Sequence, residues 1–151
     1  PPTMPPTIPP TVEVTDVNAP VESVESRLAR ITAILSPVTN LTDESSLQYK
    51  SIEILAGVPE NILLIPTDPT LYPKFIQHYV IMLLYNTLGG SNWDFPANFF
   101  STGEECNWNI QSVFYVGGVF CKDGAVTSLY LPSNNLRGTI PTEIGLLSSM
   151  K

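Results

Sequence analysis

The segment Val126–Leu147 constrains the fold more than any other, because its apolar residues, asparagine, glycine and proline are spaced for one turn of a coil. Leu129 and Leu131 alternate with a period of two, which suits a short strand with one buried face. Asn134 ends that strand. A side-chain amide at such a corner bonds neighbouring backbone groups that a buried turn would otherwise orphan. Gly138 and Pro141 bracket Ile140, the pattern of a tight return with one inward anchor. Ile144 and Leu147 are placed to fill the far side. Counting on from Val126, the same phase puts Met150 where a second unit should open.

These residues carry a resemblance. With Val126, Leu129, Leu131 and Leu136 at positions one, four, six and eleven, Asn134 at nine, and Gly138-Thr139-Ile140-Pro141 from thirteen, the segment resembles the plant-type leucine-rich repeat. A second block, Leu84–Trp93 followed by Cys106-Asn107-Trp108 and Gly118–Cys121, resembles the N-terminal cap of the same proteins. Caps exist because a terminal coil would otherwise expose its core. The resemblance implies a helix ending at Gly89, a tryptophan (Trp93, Trp108) covering the first coil, and a disulfide between Cys106 and Cys121. Such a bridge would contribute about 3 kcal/mol, chiefly by restricting the unfolded chain; the alternative is two unpaired buried cysteines. This chain departs from the family in the interval between the cysteines, which is longer than usual and holds the apolar run Val113–Val116. That run reads either as an inserted hairpin or as an artefact of the gene sequence.

Composition narrows the partners. A net charge of −7 argues against nucleic acid, whose phosphates demand basic patches, and against an electrostatic anchor on anionic lipid. Two cysteines at cap spacing and the sequon Asn40-Leu41-Thr42 are compatible with an oxidising compartment and with glycosylation at Asn40. The most apolar window, Tyr79–Tyr85, is far shorter than the roughly 20 residues that span a bilayer, so any membrane helix is expected upstream of residue 1. No signal peptide is visible, and the chain reads as an internal fragment.

Residues 1–20 hold seven of the fifteen prolines in a Pro-Pro-Thr near-repeat, expected to be a disordered linker or stalk with polyproline II character. Residues 21–69 are expected to form a helical pre-cap. Val24, Leu28, Ile31 and Leu35 recur at helical spacing up to Pro37, with Glu22 and Glu25 early and Arg27 and Arg30 late, as the helix dipole favours. A second helix is expected from about Ser45 to Ala56, capped by Asp43 or Thr42, its apolar residues Leu47, Ile52, Ile54 and Leu55, closed by Gly57 and Pro59. Residues 70–124 are assigned to the cap, whose long helix begins near Pro73 and runs to Gly89 as the most buried element. Residues 125–151 are the single repeat. Some algal leucine-rich-repeat proteins place a proline-rich stalk and a small helical region before such a cap, and the order here is similar.

A catalytic constellation is not legible. His78, the only histidine, lies within a helix between apolar turns and is read as structural. The pairs Asp43 with Glu44 and Glu104 with Glu105 are read as solvated charges. No metal-ligand spacing or phosphate-cradling loop appears, so no metal, no cofactor and no enzymatic activity are expected. For ligand contact the choice falls on Tyr130, with Thr127, Ser128, Pro132 and Ser133, because strand neighbours of inward leucines project onto the concave face that this family uses. One coil offers far less than the roughly 800 Å² per partner of a standard interface.

The expected protein is therefore α+β: a disordered Pro-rich N-terminus, a helical pre-cap, a disulfide-stapled cap and the first coil of a truncated leucine-rich-repeat solenoid. Its expected function is non-catalytic recognition, outside the cell or at its surface. The ligand would be a protein, peptide or carbohydrate, as the resemblance to receptor-like ectodomains and secreted polygalacturonase-inhibitor-like proteins implies. The alternatives are a structural cell-wall or matrix protein, or a non-functional truncated product.

Overall fold

The computed structural model describes residues 22–59, 61–100 and 103–151. The proline-rich segment expected to be disordered lies outside them. Three helices and a three-stranded antiparallel sheet share one apolar core.

Helix α1, Val24–Leu35, starts where Ser23 accepts a hydrogen bond from the Ser26 amide at 3.2 Å. Ile31, Ile34 and Leu35 are buried, whereas Val24 is exposed. Arg27, placed late in the helix by the charge pattern, faces the interior. It is buried, its Nε donating to Ala56 O and its Nη2 to Leu63 O, both at 3.0 Å. Arg30 donates to Ile65 O at 2.6 Å and pairs with Glu22 at 2.7 Å. The two guanidiniums thus hold the 61–66 strap against α1 by supplying donors to carbonyls outside any ladder.

Helix α2, Leu47–Gly57, is capped by Ser46, whose hydroxyl accepts from the Tyr49 amide at 3.1 Å. Asp43 and Thr42, the expected caps, sit too early: Asp43 closes a turn onto Ser45, and Thr42 donates to Asn40 Oδ1. Ile52 and Leu55 are buried, but Leu47 and Ile54 are exposed, because the helix packs a single face on α1 and α3.

Helix α3, Tyr72–Thr87, is the centre of the molecule. Pro73 lies in its first turn, and residues Tyr79–Leu84 are buried without a break, so the helix is covered on all sides. Gly89 follows in the left-handed conformation, φ 69°, as the expected stop.

Strands β1 (Asn109–Gln111), β2 (Val116–Lys122) and β3 (Ala125–Tyr130) form the sheet in that order. Asp123 and Gly124, with φ 52° and 79°, make the two-residue turn between β2 and β3 that matches strand twist. The longer turn between β1 and β2 is built on Ser112, whose Oγ accepts from the amides of Phe114 and Tyr115. The interval between the cysteines is thus a hairpin. Cys106, in a single helical turn Glu105–Asn107, is bonded to Cys121 of β2. Reduction of this bridge is expected to cost about 3 kcal/mol, seen as a lower denaturant midpoint in thiol than without it.

After β3 the chain runs back beside α3. Asn134 is buried; its Oδ1 accepts from the Phe95 amide at 2.7 Å and its Nδ2 donates to Phe95 O at 2.9 Å. Gly138 adopts φ 129°, and a Cβ there would lie 1.9 Å from Thr87 O, so the return passes against the end of α3 with no room for a side chain. Pro141 and Leu147 are buried, and Ile144 is half-buried. Glu143 is buried too, accepting from Thr39 Oγ1 at 2.6 Å and Gln48 Nε2 at 3.3 Å, which ties this segment to the α1–α2 region. Burial alone would raise the Glu143 pKa, but these bonds outweigh it and hold it below the usual range. At the end of the segment the Lys151 amide donates to Thr127 O at 3.3 Å, 24 residues earlier in the chain.

Candidate functional site

The exposed face of β3 is where the sequence placed ligand contact. Tyr130 is 53% exposed and Ser128 and Ser133 are exposed, while Pro132 is half-buried. Thr127 is half-buried, its hydroxyl donating to Phe120 O at 3.2 Å. Ser128 and Tyr130 alternate with the half-buried Leu129, and the register shift opposite Phe120 and Cys121 lets Val126, which strict alternation would put on their face, point into the core instead.

Three of the five candidates meet. Tyr130, Pro132 and Ser133 line a shallow cleft of about 290 Å³, whose other wall is the β1–β2 hairpin: Phe114, Tyr115 and Val116. Thr127 and Ser128 do not line it. The hairpin residues are not among the sequence candidates, although an apolar run in an otherwise polar interval marks them. Phe114 is 96% exposed at the tip and Val113 beside it nearly as much.

The wall is rigid at its base. Tyr115 stacks on Phe95 with ring centroids 4.4 Å apart, and Phe95 is the residue whose backbone Asn134 holds. The Tyr115 hydroxyl is buried without a hydrogen-bond partner and lies over Gly117, where a Cβ would come within 2.4 Å of it. Burial, with a smaller contribution from Tyr130, pushes the Tyr115 phenol pKa up. Asn134→Ala is expected to cost about 2 kcal/mol, because Phe95 loses both backbone partners. The change should appear as a lower unfolding midpoint together with altered NMR shifts at Tyr115.

The scaffold residues divide. Val126, Asn134 and Leu147 are buried and Leu129 and Leu131 half-buried, as an inward role requires. Leu136 and Ile140 are exposed in this structure, Ile140 at 62%. Helix α3 and the Phe95 backbone pack against this segment. Trp93 and Trp108 are both buried. Trp93 Nε1 donates to Leu88 O at 3.0 Å, and Trp108 packs against Phe99, Phe100 and His78. Asn40 is exposed, its Oδ1 accepting from both the amide and the hydroxyl of Thr42.

One pair of expected solvent charges is corrected. Glu105 is 1% exposed, because its position in the helical turn beside Cys106 aims it at α3. There His78 Nδ1 lies 3.0 Å from Oε2 and Gln77 Nε2 donates to Oε1 at 2.6 Å. Gln77 also accepts from the Val126 amide at 2.7 Å, so this cluster links α3, the disulfide turn and β3. Glu104 remains half-exposed and pairs with Lys74 at 2.8 Å. Sequence alone could not find the pair, since 27 residues separate its members.

Among the described residues no helix is long and apolar enough to cross a membrane, and no three histidine, cysteine or acidic side chains gather as a metal site. Compared with known proteins, the chain matches no family profile, no curated protein and no solved structure.

Proposed function

We propose that residues 126–151 are the first coil of a leucine-rich-repeat solenoid, and that the chain acts as a non-catalytic recognition scaffold for a protein, peptide or glycan ligand. The observation that carries this reading is the bond from Lys151 N to Thr127 O. Stacked coils pair equivalent residues of successive repeats, and a 24-residue offset is the period of the repeat pattern. The exposed Leu136 and Ile140 support it, being the side chains that a following coil would cover. The disulfide supports an extracellular or cell-surface setting.

On this reading ligands meet the cleft between Tyr130 and the hairpin, where an aromatic ring with a polar tip makes a good anchor. The test is to probe glycan and peptide arrays with the protein and with Tyr130→Ala. Tyr130 is half-exposed, so its loss should change stability by less than about 0.5 kcal/mol while weakening a genuine hit at least about tenfold. Hits that Tyr130→Ala leaves untouched would count against recognition through this face. Hits that instead require modified prolines in residues 1–20 would favour the matrix-protein alternative.

A further inference from the structure

We propose that the cavity between the 61–66 strap and the first turns of α3 binds a small apolar molecule carrying one hydroxyl group, with His78 Nε2 as its polar anchor. This site lies apart from the β3 cleft and does not depend on the coil assignment.

The cavity has a volume of about 380 Å³. Small-molecule sites run from roughly 300 to 1,000 Å³ and are mostly apolar with a few convergent polar groups. Ile62, Leu63, Leu71 and Phe75 supply apolar walls here, and His78 and Glu105 line the same space. Ile62 and Leu71 are about half-exposed and the neighbouring Leu64 more so, which gives the opening an apolar rim.

The polar anchor is fixed before any ligand arrives. His78 is 5% exposed, and its ring meets Trp108 edge-on at 4.9 Å. Its Nδ1 faces the Glu105 carboxylate, itself held by Gln77. An ionised carboxylate only accepts, so Nδ1 carries the proton, and Nε2 is the ring nitrogen left for a ligand. Among the described residues Nε2 has no hydrogen-bond partner. His78 lines the cavity, and the ring nitrogen that Glu105 leaves free is the one assigned to it. A ring nitrogen oriented through the carboxylate on its other side but itself unsatisfied is completed by a ligand hydroxyl, which both donates and accepts.

Charge selects the kind of donor. Glu104 and Glu105 both line the cavity, and Lys74, the cation among the described lining residues, is engaged by Glu104. An anionic ligand would meet two carboxylates and no free cation. A neutral hydroxyl on an apolar body, as in a phenol, suits both the walls and the anchor.

The experiment titrates the full chain with p-cresol and, separately, with toluene, which has the same body without the hydroxyl. Binding is read from the ¹⁵N shifts of the His78 imidazole and the methyl shifts of Leu63 and Leu71. The expected result is saturable binding of p-cresol, at least about tenfold tighter than toluene, with His78 Nε2 moving on titration. Leu71→Trp, a change at the half-exposed rim, should weaken p-cresol at least about tenfold and leave the unfolding midpoint unchanged. Equal affinity for the two probes, an unmoved Nε2, no saturable binding, or full binding by Leu71→Trp would each overturn the assignment.

Discussion

Glu105→Ala is expected to lower the unfolding free energy by about 4 kcal/mol. The carboxylate is buried and accepts from Gln77 at 2.6 Å while facing His78 Nδ1 at 3.0 Å, so its removal strands the buried His78 Nδ1 and takes one partner from Gln77. Gln77 keeps Gly124 O and the Val126 amide as partners, so the start of β3 should hold and the loss should centre on His78. Denaturant curves should show a lower midpoint with an unchanged slope. The effect should also depend on pH. Burial alone would raise the Glu105 pKa, but the hydrogen bonds from His78 and Gln77 outweigh it and hold the folded value below the usual carboxylate range. A depressed acid contributes its full stabilisation above its unfolded pKa and loses it as pH falls through the folded one. The gap between wild type and Glu105→Ala should therefore be widest near neutral pH and close on acidification. A gap that widened in acid would show that the carboxylate is not ionised in the folded protein.

Trp108→Ala should be comparably damaging, again about 4 kcal/mol, for a different reason. Trp108 is 1% exposed and sits where the disulfide turn, α3 and the aromatic residues Phe99 and Phe100 converge, with ring centroids 5.4 and 5.0 Å away. Truncation leaves a cavity at the point where three elements meet, and none of them can collapse into it without moving the others. This loss should be nearly independent of pH, which separates it from the Glu105 effect. A Trp108→Ala protein with a wild-type midpoint would mean that the disulfide turn and α3 are not packed through this side chain.

What was legible in the sequence was what local chemistry decides. The periodic apolar residues of α1 and α3, the stop at Gly89, and the strand that Val126 and Leu129 announce all follow from spacing. Ser46 replaced Asp43 as the cap of α2 because several polar residues in a row can each cap, and only tertiary packing sets where the helix begins. The long-range partners were not legible. Arg27 fits the helix dipole by its position, but its partners are carbonyls 29 and 36 residues away. Glu105 looked like one of two solvated acids and is the buried one. For the β3 site, the strand parity that exposes Tyr130 could be read directly, whereas the opposite wall required knowing that residues 112–115 fold into a turn beside it. Ile140 was expected to point inward from its bracketing by Gly138 and Pro141, and it is exposed because no second layer covers it among the described residues.

The coil itself is tested most directly by NMR of the full chain, through nuclear Overhauser contacts between the backbone of Lys151 and that of Thr127 and Ser128. A 24-residue coil requires Lys151 to lie alongside β3 at that offset, with its amide protected from hydrogen exchange relative to Ser148 and Ser149. Contacts from Lys151 to β2 instead, or an unprotected Lys151 amide with no contact to β3, would contradict a coil.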